Sequence, residues 1–180
     1  MRNSIETDAA KPYPMLDAFD RRILDIVQVN NLLPHRQIAE AVSLSVPAVA
    51  RRLQRLRSVG VITSDASVVC PEYVGIPVTL IVHITVENAA IEHIDTMRER
   101  FLECPQIQQC YDVAGEVDFV LIMLVKDMLE FERLSRTLFS QGGNVRRFHT
   151  FVAIQRVKTS LRVPIMVSGW GTHLPDRLGA

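Results

Sequence analysis

Apolar side chains recur at helical spacing in three stretches of the first sixty residues. Asp17 predicts the start of the first helix, because an aspartate side chain caps a helix N-terminus. Ser45 predicts the start of the third helix, Pro47 falls in its first turn, and Gly60 ends it. The three inward-facing stripes are Phe19, Ile23, Ile26 and Val27; Ile38, Ala39 and Val42; and Val49, Leu53 and Leu56.

Two short apolar runs follow the third helix. Residues 61–63 and 67–69 flank a polar turn at 64–66, and we interpret them as the two strands of a wing. Two helices joined by a tight connection and followed by such a hairpin predict a winged helix-turn-helix. In that motif the third helix is the element that reads DNA.

The second half of the chain alternates strand and helix patterns. From Val78 to Val86 apolar and polar residues alternate strictly, which predicts a strand with one buried face. Further strands are predicted at 107–113, 119–125 and 148–157. The intervening helices are predicted to end at Cys104, before Pro105, and to begin after Asp127 with Met128, Phe131, Leu134 and Leu138 inward. This βαββαβ order is that of a ferredoxin-like, α+β domain, whose uncovered sheet face is expected to meet a second copy.

These patterns divide the 180 residues into five segments. They are a polar arm (1–15), the winged helix-turn-helix (16–69), a linker rich in proline and glycine (70–77), the βαββαβ domain (78–160) and an irregular tail (161–180).

Charge changes the interpretation of the third helix. The chain has 20 Lys+Arg and 20 Asp+Glu, but residues 47–58 hold four arginines and no acid. Such a cluster favours contact with nucleic acid, because arginine binds guanine edges or neutralises phosphates. A solvated helix face explains the arginines equally well. The inward stripe leaves Pro47, Ala48, Arg51, Arg52 and Arg55 facing outward.

Other classes of site find little support. The three cysteines form no C-x-x-C pair and the five histidines form no ligand motif, so we expect neither a disulfide framework nor a zinc site. Glu103 and Asp112 lie near Cys104 and Cys110 and oppose a reactive thiolate. The first residues lack the apolar segment of a signal peptide, and no apolar run is long enough to span a bilayer. We therefore expect a cytoplasmic protein without membrane contact.

Three stretches together resemble the Lrp/AsnC, or feast/famine, family of transcription regulators. Residues 16–24 (LDAFDRRIL) resemble the family's opening motif, and 44–53 (LSVPAVARRL) resemble its recognition helix. Residues 113–119 (VAGEVDF) resemble its effector-loop signature. The chain departs from the family in the turn, where Ser43 replaces a usual glycine, and in Pro47, which stands one position late. Pro34-His35 also replaces a usual Ser/Thr-type cap at the start of the second helix.

The resemblance implies a non-enzymatic regulator without a cofactor. Ser45, Pro47, Ala48, Arg51, Arg52 and Arg55 would lie at duplex DNA, with the third helix in the major groove. The βαββαβ domains would pair through their sheets into a homodimer, and dimers would assemble into tetramers or octamers. A small effector, usually an amino acid, would bind between dimers. The positions matching the family's response residues are Asp112, Gly115, Asp118, Met128, Phe151, Val152 and Ala153.

The chemistry of the effector loop suits that role. Gly115 lets backbone N–H groups approach a carboxylate, and Asp118 accepts from an ammonium group. A plain hairpin turn with a capping aspartate explains both residues as well. Two alternative functions also stay open at this point. One is an amino-acid-sensing module that no longer reads DNA. The other is an enzyme related to the sirohaem decarboxylases, for which the chain shows no cluster of catalytic histidines.

Overall fold

The chain divides into two compact units, Met1–Ser67 with Ser160–Ala180, and Val68–Thr159. The computed structural model describes residues 13–140 and 144–165. Most of the predicted arm and of the predicted tail therefore falls outside the described residues. In the part of the chain that is described, no helix is both long and apolar enough to cross a membrane.

Three helices build the first unit, as predicted. They are α1 (Ala18–Val29), α2 (His35–Val42) and α3 (Val46–Ser58). Asp17 caps α1, because its side chain accepts from the Asp20 backbone N–H at 2.8 Å, and the Asp20 carboxylate accepts from the Asp17 N–H at 3.2 Å. This reciprocal capping box fixes where α1 begins.

The apolar stripes of the three helices meet in one core. Ile23, Val49 and Leu56 are fully buried there. The chain turns between α2 and α3 at Ser43, whose φ of 57° and ψ of 45° lie in the left-handed region. The complete set of buried core residues is Ile23, Leu24, Ile38, Ala39, Val42, Val49, Leu53 and Leu56.

The predicted wing is wrong. Residues 61–70 contain neither strand nor helix. The backbone N–H groups of Val61 and Ile62 both donate to the Leu56 carbonyl, at 2.9 and 3.1 Å. Their side chains pack against the helical core, so this segment folds back onto the end of α3 instead of forming a hairpin.

A four-stranded antiparallel sheet forms the second unit. Its strands are β1 (Val78–Val86), β2 (Ile107–Asp112), β3 (Phe119–Val125) and β4 (Val145–Val152). They lie in the order β2-β3-β1-β4. The βαββαβ order and the α+β class predicted from the sequence are confirmed.

Two helices cover one face of the sheet. They are α4 (Ile91–Glu103) and α5 (Met128–Ser135), and a single π-helical turn (Arg136–Ser140) continues α5. The alternation of β1 and β3 points one set of side chains at these helices. The buried core consists of Leu80, Val82, Ile84, Val86, Met97, Phe101, Phe119, Leu121, Met123, Val125, Phe131, Leu138 and Phe139.

The opposite face of the sheet is also largely apolar. Ile81 lies directly between Ile122 of β3 and Phe151 of β4. His83 lies directly opposite His149 and packs edge-on to Phe151, with ring centroids 5.2 Å apart. Phe151 is 52% exposed, so the described residues of this unit leave the outer edge of the face open.

Several predicted boundaries shift. The last strand spans 145–152 instead of 148–157, and the residues that follow it form no strand as far as 165. Met128 is 48% exposed at the start of α5, although the periodicity placed it inward. The expected linker contains a short 3-10 helix, Pro71–Val74, because Pro71 is buried and anchors it.

The described part of the predicted tail packs on α1. Gln28 donates through Nε2 to the Val163 carbonyl at 3.1 Å, and its Oε1 accepts from the Val163 N–H at 2.7 Å. Arg162 pairs with Asp25 at 2.5 Å. Ile165 packs against the helical core. Residues 160–165 are therefore an integral part of the first unit.

Candidate functional site

The start of α3 presents a capped and exposed first turn. Ser45 caps the helix, since its Oγ accepts from the Ala48 N–H at 3.4 Å. Pro47 lacks an N–H, which costs nothing in a first turn. Ser45 and Pro47 are exposed and Ala48 is half-buried. The sequence prediction of this cap is confirmed.

Arg52 and Arg55 on α3 bind back to α1. Arg52 Nη1 lies 2.8 Å from Asp20 Oδ1 and 2.7 Å from Asp17 Oδ2. Arg55 Nη2 lies 2.5 Å from Asp20 Oδ2. The Asp20 side chain is only 2% exposed, so its charge depends on these two guanidinium groups.

The pairing shifts the pKa values of two groups in this network, Arg52 and Asp17. Hydrogen bonds with Asp20 and then Asp17 raise the pKa of Arg52. Partial burial opposes ionisation of Asp17, but hydrogen bonds from the Asp20 N–H and from Arg52 hold the pKa of that carboxyl below its usual value. The Arg52 guanidinium also lies 5.6 Å from the centre of the Phe19 ring. Three groups therefore restrict this one side chain.

Arg51 differs from its neighbours. It is exposed and forms no ion pair with any residue in the described ranges. The sequence predicted that Arg51, Arg52 and Arg55 all lie outside the core, and they do, but the last two are ion-paired with acids of α1. The inward stripe of α3 identified only what packs in the core. It could not reveal that acids of α1 lie beside the next positions around the helix.

Arg57, near the end of α3, forms an ion pair with the segment that follows the helix. Its Nε and Nη2 lie 2.8 and 3.2 Å from the two carboxylate oxygens of Asp65. The hydrogen bond from Arg57 lowers the pKa of Asp65. This two-pronged pair is the main polar contact that holds the segment expected to form a wing.

The loop between β2 and β3 ties the hairpin to β1. The Val113 N–H donates to the Asp118 carbonyl at 2.9 Å, which closes the loop. The Asp118 N–H donates to the Ile84 carbonyl at 2.8 Å, and its Oδ2 accepts from the Val86 N–H at 2.8 Å. Gly115 is exposed at the tip, with open space around its Cα. Asp118 thus has the structural role considered from the sequence, and its second oxygen remains for another partner.

An open cleft of about 280 Å³ lies beside this loop. Arg98 lines it and pairs with Asp112, as well as with Asp95 at 2.7 Å. The hydrogen bond with Asp112 is the main cause that raises the pKa of Arg98. The full lining is Ala89, Ile91, Ile94, Arg98, Asp112 and Asp118. One guanidinium, two carboxylates and two isoleucines can bind a small zwitterion with an apolar side chain.

Sequence reasoning missed Arg98 as a site residue. It stands within the apolar spacing of α4, between Ile94 and Phe101, where a charged side chain needs a reason. That interruption was the available signal. The partner could not be inferred, because Asp112 is fourteen residues away on another element.

The remaining predicted effector residues lie away from this cleft, from the middle of β1 toward its start. Phe151 and Val152 pair with Ile81 and Leu80, and the Ala153 N–H donates to the Thr79 carbonyl at 2.9 Å. Asp118 instead bonds to Ile84, which is three residues along β1 from Ile81 and five from Thr79, or roughly 10 to 16 Å at 3.3 Å per residue. Met128 follows β3 at the same end as Ala153. One copy of the chain therefore does not bring the seven predicted residues into one site.

The cysteines and histidines that the structure describes build no second site. No group of three or more potential metal ligands occurs in residues 13–140 and 144–165. Desolvation raises the pKa of Cys110 to about 11, and the charge of Asp112 contributes to this shift. An unreactive Cys110 agrees with the sequence argument that nearby acids oppose a thiol sensor.

Family models match both units. An AsnC-type helix-turn-helix domain matches residues 16–57, and an Lrp/AsnC ligand binding domain matches residues 79–163. The second match begins one residue into β1 and continues through residues that pack on α1.

Individual proteins are similar over most of the chain. An uncharacterized HTH-type transcriptional regulator, y4tD, of Sinorhizobium fredii is 40% identical over 152 residues, which are 84% of this chain and 90% of that protein. The leucine-responsive regulatory protein of Haemophilus influenzae is 28% identical and covers 88% of this chain and 95% of its own length. The crystal structure of an AsnC family transcriptional regulator from Agrobacterium tumefaciens has a TM-score of 0.78 at 27% identity. It covers 83% of this chain and 97% of that chain.

Proposed function

Because this chain belongs to the Lrp/AsnC family of transcriptional regulators, we propose that it reads duplex DNA as a dimer or higher oligomer and that an amino acid modulates this binding. The observation that carries the DNA half is the start of α3. A capped first turn and the unpaired Arg51 project from a helix whose other face is fully packed. Such a helix can enter a major groove without disturbing the core of its own unit.

The DNA contacts follow from this geometry. Ser45, Pro47 and Ala48 lie at the helix N-terminus, whose positive dipole end favours a phosphate. Arg51 lies one turn further along and reaches either a phosphate or a guanine edge. In a dimer two such helices would face successive major grooves of a pseudo-palindromic site.

The cleft beside the β2–β3 loop supports an amino-acid effector. Arg98 is paired with Asp95 and Asp112 but stays half-exposed, so its remaining N–H groups can donate to a ligand carboxylate. The free oxygen of Asp118 can accept from an ammonium group. Ile91 and Ile94 supply the apolar wall. The relatives include a protein named leucine-responsive regulatory protein, which agrees with this ligand class.

The effector site is completed by a second copy. Met128, Phe151, Val152 and Ala153 lie from the middle of β1 toward its start, and none of them lines the cleft near its end. Placed against a neighbouring copy, they supply further apolar contact to its cleft. Ligand binding would then alter how dimers assemble, and hence how many DNA sites one assembly holds.

The experiment begins with DNA that the protein itself selects. Duplexes enriched from a randomised pool are titrated by fluorescence anisotropy against scrambled duplexes at two salt concentrations. The titration is repeated with pools of the twenty amino acids. We expect a steep salt dependence, a clear preference for the selected duplex and a shift caused by one pool.

The variant Arg98→Gln separates the two halves of the proposal. It keeps a polar side chain but removes the charge, so the effector shift should disappear while DNA affinity without effector stays. Exposed Arg136 on the π-helical turn, changed to Gln, is the matched control and should leave the shift intact. Specific binding untouched by every pool contradicts the effector. Amino-acid binding without any DNA preference supports a sensing module instead.

A further inference from the structure

The charge on α3 is largely neutralised within its own unit. The helix carries Arg51, Arg52, Arg55 and Arg57, and three of these four are paired with carboxylates. Asp17 and Asp20 come from α1, and Asp65 comes from the segment after α3. The cluster that resembles a basic DNA-binding face therefore presents far less free charge than its sequence implies.

The pair on Asp20 cannot exchange freely. The Asp20 side chain is 2% exposed, and both of its oxygens accept from arginines, at 2.8 and 2.5 Å. If both arginines left for DNA, a buried carboxylate would stay without a cationic partner, which is strongly unfavourable. Asp20 also closes the capping box of α1. One buried acid thus joins the start of α1 to the middle of α3.

Arg51 lies beside this network without joining it. It lines an open cleft of about 350 Å³ together with Met15, Asp17, Asp20, Arg52 and Arg55. No carboxylate of the described residues lies within ion-pair distance of it. Arg51 is therefore the α3 arginine whose charge is available at no cost to the fold.

We propose that Arg51 is the arginine of α3 that contacts DNA, and that Arg52 and Arg55 are positioning residues, held by Asp20, which set the angle of α3 on α1. This inference rests on the proposed DNA-reading role of α3. It divides three arginines that are equivalent in the sequence into one contact and two positioning residues.

The first test compares salt dependence. Arg51→Gln should weaken binding to the selected duplex at least tenfold and leave the melting temperature unchanged. If Arg51 contacts a phosphate, the slope of log K against log[salt] should fall by about 0.9. If it reads a base, the preference over scrambled DNA should collapse instead. Arg55→Gln should keep the wild-type salt slope, because its charge is already matched by Asp20.

The second test uses the acid. Asp20→Asn adds a net positive charge beside α3 and releases both arginines. If Asp20 only masked DNA-contacting arginines, the variant would bind the selected duplex more tightly. As a positioning residue, its loss should lower the melting temperature and reduce the preference for selected over scrambled DNA at least tenfold. Binding to scrambled DNA should hold or rise.

A double variant guards against simple loss of folding. Asp20→Asn with Arg55→Gln removes one charge from each side, so it should be more stable than the sum of the two single effects predicts. Arg136→Gln in the second unit controls for loss of one positive charge far from α3.

The outcomes separate the two proposals. A wild-type protein with no preference for any selected duplex overturns the proposed function and the DNA contact of Arg51 together. Specific wild-type binding with an unaffected Arg51→Gln, or a lowered salt slope in Arg55→Gln, overturns only the inference. Tighter binding of Asp20→Asn to the selected duplex overturns it as well.

Discussion

Ser43 occupies a turn whose left-handed backbone conformation is unfavourable for serine. Among the described residues it is the only non-glycine with a positive φ, and it connects α2 to α3. For a residue with a Cβ this conformation costs about 1 kcal/mol or more. The geometry of the turn is nevertheless kept, because the helices on both sides are packed into one core.

Replacing this serine tests that balance. Ser43→Gly should raise the free energy of unfolding by about 0.5 kcal/mol, since relief of the left-handed strain exceeds the added chain entropy of glycine. Urea denaturation measures the difference. Ser64→Gly, in an exposed segment without a positive φ, should lower stability slightly. If the two variants change stability in the same direction, the strain argument is wrong.

Cys110 gives a pH-dependent prediction at the same scale. Its raised pKa means that the thiolate is scarce at neutral pH, so alkylation should be slow there and accelerate up to a midpoint near pH 11. The rate of iodoacetamide labelling is measured in a Cys70→Ser/Cys104→Ser background. Asp112→Asn should move the midpoint downward, because it removes a neighbouring negative charge. A midpoint below pH 9 would contradict the desolvation of this thiol.

At the scale of elements, two segments expected to be peripheral are tied to the helical unit. The segment after α3 bonds to Leu56 and, through Asp65, to Arg57. Residues 160–165 bond to Gln28 and Asp25 on α1. The segment after α3 and residues 160–165 are therefore both held against the helices of the first unit.

Gln28 holds residues 160–165 on α1 through two hydrogen bonds, so its replacement tests how firmly they are bound. Gln28→Ala removes both hydrogen bonds to the Val163 backbone and should lower the stability of the first unit by about 1 kcal/mol. Hydrogen exchange should then rise in residues 160–165 before it rises in α3. Gln54→Ala, on exposed α3, is the matched control, and equal exchange in both variants would show that the segment is not held by Gln28.

At the scale of the whole molecule, we expect assembly through the sheet face that α4 and α5 do not cover. Ile81, Ile122 and Phe151 lie side by side on the face that α4 and α5 do not cover. An apolar face of this kind is expected to pack against a second copy. The same pairing would also bring two helical units into one particle, as a palindromic DNA site requires.

A charge placed in this face should prevent assembly. Ile122→Lys would bury an unpaired ammonium at the contact in each copy, which costs about 3 kcal/mol or more and weakens association over a hundredfold. Sedimentation velocity gives the oligomeric state, and Leu102→Lys on exposed α4 is the control. An unchanged oligomer in Ile122→Lys would place the interface elsewhere.

Local patterns in the sequence were sufficient to determine the elements and their order. Asp17 and Ser45 identified two helix starts, and the alternation from Val78 identified β1, because capping and periodicity depend on near neighbours in the chain. The wing and the last strand were misjudged. The apolar residues at the start of the expected wing pack on the helical core, and those at the end of the expected last strand lie beyond its last paired residue. Short apolar patterns do not distinguish either arrangement from a β-strand.

Only the tertiary structure decided which charges are free. Arg51, Arg52 and Arg55 have the same chemistry and adjacent positions, yet Asp20, more than thirty residues away, binds two of them and leaves one. In the same way, Arg98 and Asp118 line one cleft while Met128 and Phe151 lie outside it. Sequence patterns describe what each element presents, whereas ion pairs and sites depend on which elements become neighbours, and packing of the whole chain sets that.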